Sequence, residues 1–233
     1  NADSYIIEPA PLPVETARAA GAGQCAPLVG ELLDDVLLRM EHGIPRITTG
    51  FKILDRALSD DGNPGGFVFP SFVVLGAGPK AGKSTWAAIV AEHHARSGGV
   101  SLVVDFENGR QRYVTKMLCR AARVSPAALK QGMDERDAER WRQAVADLRE
   151  LPMRYVSDRS LTEYTLPELV ARTKVDADAR PLLVVIDSLQ KLPMPMENRR
   201  DGIDGWLRAF EAIRDTGVVV LAISELARKQ GGG

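Results

Sequence analysis

The stretch LGAGPKAGKST, residues 75–85, gives the strongest indication of the fold. Ala77, Gly82, Lys83 and Ser84 stand at the spacing of a P-loop, with alanine where glycine is more common. In such a loop, glycines let backbone N–H groups close around phosphate oxygens, the lysine reaches the β- and γ-phosphates, and the serine hydroxyl binds Mg²⁺. The alternative is a glycine-rich connector. The apolar run before the stretch and the helical pattern after it favour the phosphate-binding interpretation.

Apolar runs and helical patterns alternate through the rest of the chain. The runs cover residues 72–76, 100–106, 153–157, 181–188 and 217–224. Most are continuous rather than alternating, which is typical of strands covered on both faces. Alternation of strand and helix predicts an α/β fold with a mostly parallel central sheet flanked by helices.

Helix ends can be read at two places. Ser125 and Pro126 predict the start of one helix, and Gly132 predicts its end. Thr165 and Glu168 have the spacing of a capping box and predict the start of another helix.

Composition limits the classes of function. Lys and Arg total 30 against 31 Asp and Glu, so any nucleic-acid site has to be local. The chain has two cysteines and three histidines and no CxxC spacing, which disfavours a structural zinc site and fits a reducing cytoplasm. No signal-peptide pattern and no membrane-length apolar stretch is present, so we expect a cytoplasmic protein without membrane insertion.

Three segments are expected along the chain. Residues 1–27 contain several prolines without sustained periodicity and predict an extended arm. Residues 28–44 predict an amphipathic linker helix that either caps its own domain or docks on a neighbouring subunit. Residues 45–233 predict the core, whose C-terminal part we expect to be incomplete because the sequence stops on three glycines.

Two acidic residues follow predicted strands and complete a candidate site. Asp187 comes directly after the apolar run 182–186, where a carboxylate can hold the Mg²⁺ of a P-loop; the alternative is a turn-forming aspartate. Asp105 and Glu107 end another run, and Glu107 is preferred as the group that activates water because it lies beyond the run. The alternative for Glu107 is a solvated loop carboxylate.

Several segments together resemble the RecA-like motor domain of DnaB-type replicative helicases, over about residues 28–228. They occur in the order expected for that family: ITTGFKILDRAL (47–58), AGPKAGKST (77–85), VVDFENGRQRYVTKMLCRAARVSPAALKQG (103–132), YTLPELVAR (164–172), LLVVIDSLQKL (182–192) and VVVLAISEL (218–226). The fold implied is a RecA-like P-loop NTPase.

The resemblance implies an ATP hydrolase that assembles as a hexameric ring, with the linker helix packed on the adjacent subunit. Lys83, Ser84 and Asp187 are expected to bind ATP and Mg²⁺, with Ser84 and Asp187 as the metal ligands. Lys83 and Glu107 are the expected catalytic residues, Glu107 as the group that activates water. The full set of expected nucleotide-binding residues is Ala77, Gly78, Pro79, Lys80, Ala81, Gly82, Lys83, Ser84, Thr85 and Asp187.

Single-stranded DNA is the expected nucleic-acid partner. The segment QKLPMPMENRRDG, residues 190–202, corresponds to the loop that faces the ring channel in the family. Lys191, Arg199 and Arg200 could contact phosphates without reading sequence. A plain solvent-exposed loop is the alternative. Primase and loader proteins are further candidate partners.

A basic stripe of four residues follows Glu107 at helical spacing. Its members are Arg112, Lys116, Arg120 and Arg123. We interpret the stripe as a solvated or subunit-facing surface, because charge stripes usually are.

The sequence departs from the family pattern in two ways. Glu225 stands where the family usually has glutamine, and an ionised carboxylate cannot donate a hydrogen bond to a γ-phosphate. Beyond Arg228 the family's further strands and its basic finger are not visible; Arg228 and Lys229 are candidate substitutes, and a disordered basic tail is the preferred interpretation.

The leading hypothesis is an ATP-driven motor that translocates on single-stranded DNA and separates duplex during DNA replication. The main alternative is a RecA- or RadA-like strand-exchange or regulatory ATPase without unwinding activity. An inactive ATP-binding module is disfavoured because Lys83, Ser84, Glu107 and Asp187 are all present. A small-molecule kinase is disfavoured by the absence of an evident lid.

Overall fold

The computed structural model describes residues 45–59, 65–194 and 199–226, together with Val29, Leu33 and Leu37. These three residues are helical and have exposed side chains spaced four residues apart. The predicted arm, residues 1–27, lies outside the described residues, as do the rest of the predicted linker helix and residues 227–233. The predicted segment boundaries therefore stay predictions.

A five-stranded parallel sheet forms the centre of the fold. The strands are β1 (Arg46–Ile47), β2 (Phe67–Val68), β3 (Ser71–Ala77), β4 (Val100–Asp105), β5 (Met153–Val156), β6 (Leu182–Asp187) and β7 (Val219–Glu225). The strand order in the sheet is β3-β7-β6-β4-β5, and the short antiparallel pair β1 and β2 lies outside it. The predicted α/β class and mostly parallel sheet are confirmed.

Helices connect the strands. They are α1 (Lys52–Ala57), α2 (Lys83–Arg96), α3 (Arg110–Ala122), α4 (Pro126–Gln131), α5 (Glu135–Arg149), α6 (Thr165–Ala177) and α7 (Arg199–Asp215), with a 3₁₀-helix at Leu189–Lys191. Each predicted run contains a strand with nearly the predicted bounds. The run 217–224 starts two residues late as β7 (Val219–Glu225), because Gly217 has a φ of 80° in the turn after α7.

The core lies on both faces of the sheet. Strands β4 and β6 are buried along their whole length. One face packs on α6 and α7 through Leu166, Trp206 and Phe210, and the other packs on α2 through Val90 and Ala91. Cover on both faces explains why these strands read as continuous apolar runs.

The helix α2 is held in place by the segment that precedes the sheet. Phe51 stacks on Trp86 of α2 with ring centroids 5.7 Å apart. The turn that carries Phe51 is fixed because Asp55 Oδ1 accepts hydrogen bonds from the Thr49 N–H at 2.8 Å and the Thr49 hydroxyl at 2.7 Å. The motif ITTGFKILDRAL thus supports the helix that begins at the phosphate-binding loop.

Both predicted helix starts are confirmed, but only one of the two predicted caps is. The Ser125 side chain accepts a hydrogen bond from the Ala128 N–H and caps α4 as predicted. Thr165 does not cap α6, because it is the first helical residue, and the N-cap residue Tyr164 makes no side-chain capping bond. The Thr162 hydroxyl accepts the Thr165 N–H at 3.2 Å, so the chain turns three residues before the predicted cap.

Register brings the carboxyl ends of four strands to one edge of the sheet. Ala77 of β3 is aligned with Glu225 of β7, and Asp105 of β4 is aligned with Asp187 of β6. Parallel sheets form binding crevices at this edge. The four residues mark where the candidate site lies.

Candidate active site

The predicted phosphate-binding loop connects β3 to α2. Gly82 is the N-cap residue of α2, with a φ of 87°, and no side chain caps the helix. Space for a side chain is open at Gly82, but the positive φ favours glycine there. The uncapped first turn leaves backbone N–H groups free to bind an anion at the positive end of the helix.

The two lysines of the loop differ in their surroundings. Lys83 is partly buried, and its ammonium group donates a hydrogen bond to the Gly78 carbonyl oxygen at 2.8 Å. Lys80 is exposed and has a φ of 60°. The Lys83 ammonium therefore lies over the loop backbone that a phosphate group would contact.

Asp187 is a buried carboxylate at the end of β6, with 2% of its surface exposed. Within the described part of the chain its Oδ1 atom has no hydrogen-bond partner, while Oδ2 accepts a 3.4 Å hydrogen bond from the Asn108 side chain. Burial, followed by repulsion from Asp105 and Glu107, raises the pKa of Asp187 to about 6. The Ser84 hydroxyl and the Lys116 ammonium act in the opposite direction.

An unpartnered buried carboxylate oxygen beside a serine hydroxyl is suited to a cation. Mg²⁺ is usually held by one or two protein oxygens, with phosphate oxygens and water completing its six ligands. Ser84 and Asp187 provide such a pair. The residues present therefore fit the ion that the sequence predicts.

We expect Asp187→Asn to stabilise the nucleotide-free protein. The raised pKa means that the native state binds this proton more tightly than the unfolded chain, so the free energy of unfolding falls as pH rises from about 4 to about 6. The asparagine amide is uncharged, so burying it does not carry the cost of burying an ionised carboxylate. We expect the free energy of unfolding to rise by about 2 kcal/mol at pH 7.5. Urea unfolding of both proteins between pH 4 and pH 8 measures it. If the free energy of unfolding varied with pH in the same way for both proteins, the burial argument would be contradicted.

Asp105 and Glu107 have different environments. Asp105 is fully buried, and its oxygens accept hydrogen bonds from the Glu107 N–H, the Asn108 N–H and the Tyr155 hydroxyl. Glu107 is exposed, and its Oε2 atom accepts a hydrogen bond from the Ser188 hydroxyl at 3.1 Å. Asp105 therefore supports the loop, whereas Glu107 is free to meet a water molecule.

A polar cleft of about 270 Å³ unites these groups. Its lining consists of Lys80, Gly82, Lys83, Ser84, Thr85, Glu107, Arg112, Lys116, Asp187, Ser188 and Glu225. The other expected nucleotide-binding residues are not part of this lining: Ala77 ends β3, and Gly78, Pro79 and Ala81 lie between β3 and α2. Loop, strand ends and the start of α3 thus meet around one space.

Three of the four residues in the basic stripe, Arg112, Lys116 and Arg123, are exposed, which agrees with a solvated surface. Arg112 and Lys116 line the cleft. Arg120 forms an ion pair with the buried Glu92 of α2, and Arg123 is exposed. The spacing of Arg112 and Lys116 could have identified them as cleft residues. Residues four apart lie on the same face of a helix, and this helix begins just after Glu107.

The residues predicted to bind DNA lie outside the cleft lining. Lys191 is exposed on the 3₁₀-helix, and Arg199 and Arg200 are exposed at the first turn of α7. Residues 195–198 of the predicted loop lie outside the described residues.

Comparison with known proteins identifies the family. The family model of the DnaB-like helicase C-terminal domain matches residues 46–232. The chain belongs to this family. The match includes residues 75–85, Asp187 and the segment 190–202 that the sequence predicts to contact DNA. No match was found among curated protein sequences.

Solved structures show the same fold. The chain is 20% identical to a DnaB-like replicative helicase whose interactions with primase have been described, with a TM-score of 0.71 over 91% of this chain and 51% of that one. It is also 20% identical to the ATPase domain of a second protein of known structure, with a TM-score of 0.75 over 88% of this chain and 73% of that one. The chain thus spans about half the length of the first relative.

Membership of the DnaB-like family confirms the predicted resemblance and the RecA-like fold. No comparison points to a RecA- or RadA-like strand-exchange ATPase. Across the ranges that the structure describes, no helix has the length and apolar character needed to cross a membrane.

Proposed function

We propose that this chain is the Mg²⁺-dependent ATPase motor of a ring-forming replicative DNA helicase. The observation that supports it best is the cleft at the carboxyl edge of the sheet, where Lys83, Ser84, Glu107 and Asp187 meet in a DnaB-like domain. Hydrolysis in this cleft would drive translocation on single-stranded DNA and separation of the duplex.

ATP binds through its phosphates in this proposal. The first turn of α2 offers backbone N–H groups, and Lys83 exchanges its hydrogen bond to the Gly78 carbonyl oxygen for one to a phosphate oxygen. Ser84 and Asp187 hold Mg²⁺, which when bound offsets the negative charge of the phosphates. Arg112 and Lys116, which also line the cleft, add positive charge.

Glu107 is the general base. It accepts the proton of a water molecule whose oxygen attacks the γ-phosphorus, while the bond from that phosphorus to the departing ADP oxygen breaks. The Ser188 hydroxyl holds the carboxylate by its hydrogen bond to Oε2. Asp105 fixes the backbone of Glu107 and Asn108 beneath it.

Glu225 lowers the affinity for ATP in this arrangement. Glu225 lines the same cleft as Lys83, so its carboxylate repels phosphate groups to which a glutamine side chain could donate a hydrogen bond. We expect Glu225→Gln to lower the KM for ATP by roughly threefold to tenfold. Steady-state hydrolysis over a range of ATP concentrations measures it. Glu211→Gln, an equal change of charge on α7, is the control; a KM that is unchanged or higher in Glu225→Gln would contradict the argument.

The partners follow from the proposed motor. Single-stranded DNA would contact Lys191, Arg199 and Arg200. All three are exposed; Lys191 precedes residues 195–198 in the chain, and Arg199 and Arg200 follow them. A hexameric ring would use the linker helix, residues 28–44, whose exposed Val29, Leu33 and Leu37 offer an apolar face to an adjacent subunit. Residues 1–27 would form the arm and residues 45–233 the motor core. A primase partner is suggested by the relative described with primase.

The test of the proposed function is the rate of ATP hydrolysis with and without a single-stranded oligothymidine. Wild-type protein with Mg²⁺ is compared with Lys83→Ala at matched concentrations. We expect hydrolysis in the wild type only, and acceleration by the oligonucleotide. Absence of hydrolysis from the folded wild type would overturn the proposal. Equal rates of hydrolysis with and without DNA would contradict the motor function but still support ATPase activity.

A further inference from the structure

The side chain of Gln190 joins the segment after β6 to the end of β7. Its Nε2 atom donates hydrogen bonds to the Ser224 hydroxyl at 3.0 Å and to the Glu225 carbonyl oxygen at 3.1 Å. Its Oε1 atom accepts one from the Glu225 N–H at 3.0 Å. The amide group thus satisfies both backbone groups of Glu225, as a neighbouring strand would.

Each end of this connection leads to a different part of the molecule. Glu225 lines the nucleotide cleft. Gln190 lies in the 3₁₀-helix Leu189–Lys191, directly before Lys191. A displacement of the end of β7 therefore either moves the 3₁₀-helix with it or breaks the three hydrogen bonds.

The connection continues from the 3₁₀-helix into α7. Leu192 is buried in the core beside Trp206, and the Trp206 indole N–H donates a 3.0 Å hydrogen bond to the Pro193 carbonyl oxygen. Trp206 is 1% exposed and lies on the helix whose first turn carries Arg199 and Arg200. The chain segment 190–193, the hydrogen bond from Trp206 to Pro193 and the backbone of α7 thus connect the end of β7 to that basic turn.

We propose that Gln190 is a positioning residue that couples the nucleotide cleft to the basic start of α7. This inference rests on the proposed function, since it concerns how occupation of the cleft by ATP changes contact with single-stranded DNA. Coupling between two sites requires an element whose position both of them influence. Gln190 and the 3₁₀-helix are that element.

The first test replaces Gln190 by leucine, which keeps much of the volume and removes all three hydrogen bonds. The readout is the ratio of the ATP hydrolysis rates with and without saturating oligothymidine. We expect this ratio to fall by about fivefold or more in Gln190→Leu. A merely structural role would lower both rates together and leave the ratio unchanged. Gln143→Leu on the exposed face of α5 is the matched control.

Two further variants control for misfolding of Gln190→Leu. Gln190→Glu keeps the acceptor for the Glu225 N–H and loses the two donated hydrogen bonds, so we expect a ratio between those of Gln190→Leu and the wild type. Trp206→Phe removes the hydrogen bond to Pro193 and keeps an aromatic ring in the core. Gln190 and Trp206 belong to the same connection in this proposal. We therefore expect the variant that combines Gln190→Leu with Trp206→Phe to have the same ratio of hydrolysis rates as Gln190→Leu alone.

The outcomes separate this inference from the proposed function. A wild-type ratio in folded Gln190→Leu, with the wild type accelerated by DNA, overturns the coupling role and leaves the motor intact. Additive losses in the double variant also overturn the series connection. A wild type that hydrolyses ATP without any response to DNA overturns the motor and the coupling together.

Discussion

Replacing Lys83 by alanine is expected to lower the kcat for ATP hydrolysis by about 10²–10³-fold. The ammonium group already lies against the loop, bound to the Gly78 carbonyl oxygen. In the proposed function it is held where negative charge would grow on the phosphates in the transition state, and alanine would leave that charge without a partner. Phosphate release under saturating ATP and Mg²⁺ measures the loss.

Lys80→Ala is the matched control for this result. Lys80 belongs to the same loop and carries the same charge, but it is exposed, and within the described part of the chain no hydrogen bond holds its ammonium group against the loop. We expect its loss to change the KM for ATP by at most about threefold, as for a solvent-screened charge. Equal losses of kcat in the two variants would show that the loop acts only through its net charge.

Replacing Glu107 by glutamine is expected to separate binding from hydrolysis. The amide keeps the size of the side chain and can still bind the Ser188 hydroxyl, but it cannot take a proton from water. General-base catalysis is worth about 10²–10⁴-fold, so we expect a kcat loss in that range with ATP affinity within a few fold of the wild type. Calorimetric titration with ATP and single-turnover hydrolysis measure the two quantities.

Asp105→Asn distinguishes a supporting carboxylate from the general base. Asp105 is fully buried and accepts three hydrogen bonds, so asparagine would leave a donor facing other donors. We expect the melting temperature to fall in Asp105→Asn and to stay unchanged in Glu107→Gln. Normal hydrolysis by a folded Glu107→Gln variant would show that another group activates the water.

The sequence predicted the parts of the molecule that local patterns encode. Continuous apolar runs identified the buried strands, because cover on both faces leaves little room for polar side chains. The P-loop spacing located Lys83 and Ser84, and the end of the run 182–186 located Asp187. These residues lie together because parallel strands bring their carboxyl ends to one edge.

Other residues could not be found from local patterns, since their neighbours are distant in the chain. Lys116 lines the cleft only because α3 begins at that edge of the sheet. The amide of Gln190 reaches Glu225, which is 35 residues further along. The capping box failed for a local reason: Thr165 is the first helical residue, and the hydroxyl of Thr162 accepts the N–H of Thr165 instead.

The most direct test of the motor is strand displacement on a forked DNA duplex, with ATP and Mg²⁺. The reaction follows release of a fluorescent strand and compares wild-type protein with Glu107→Gln under conditions where both bind ATP. The proposed function predicts displacement by the wild type and none by Glu107→Gln. DNA-stimulated hydrolysis by the wild type without any displacement would contradict it.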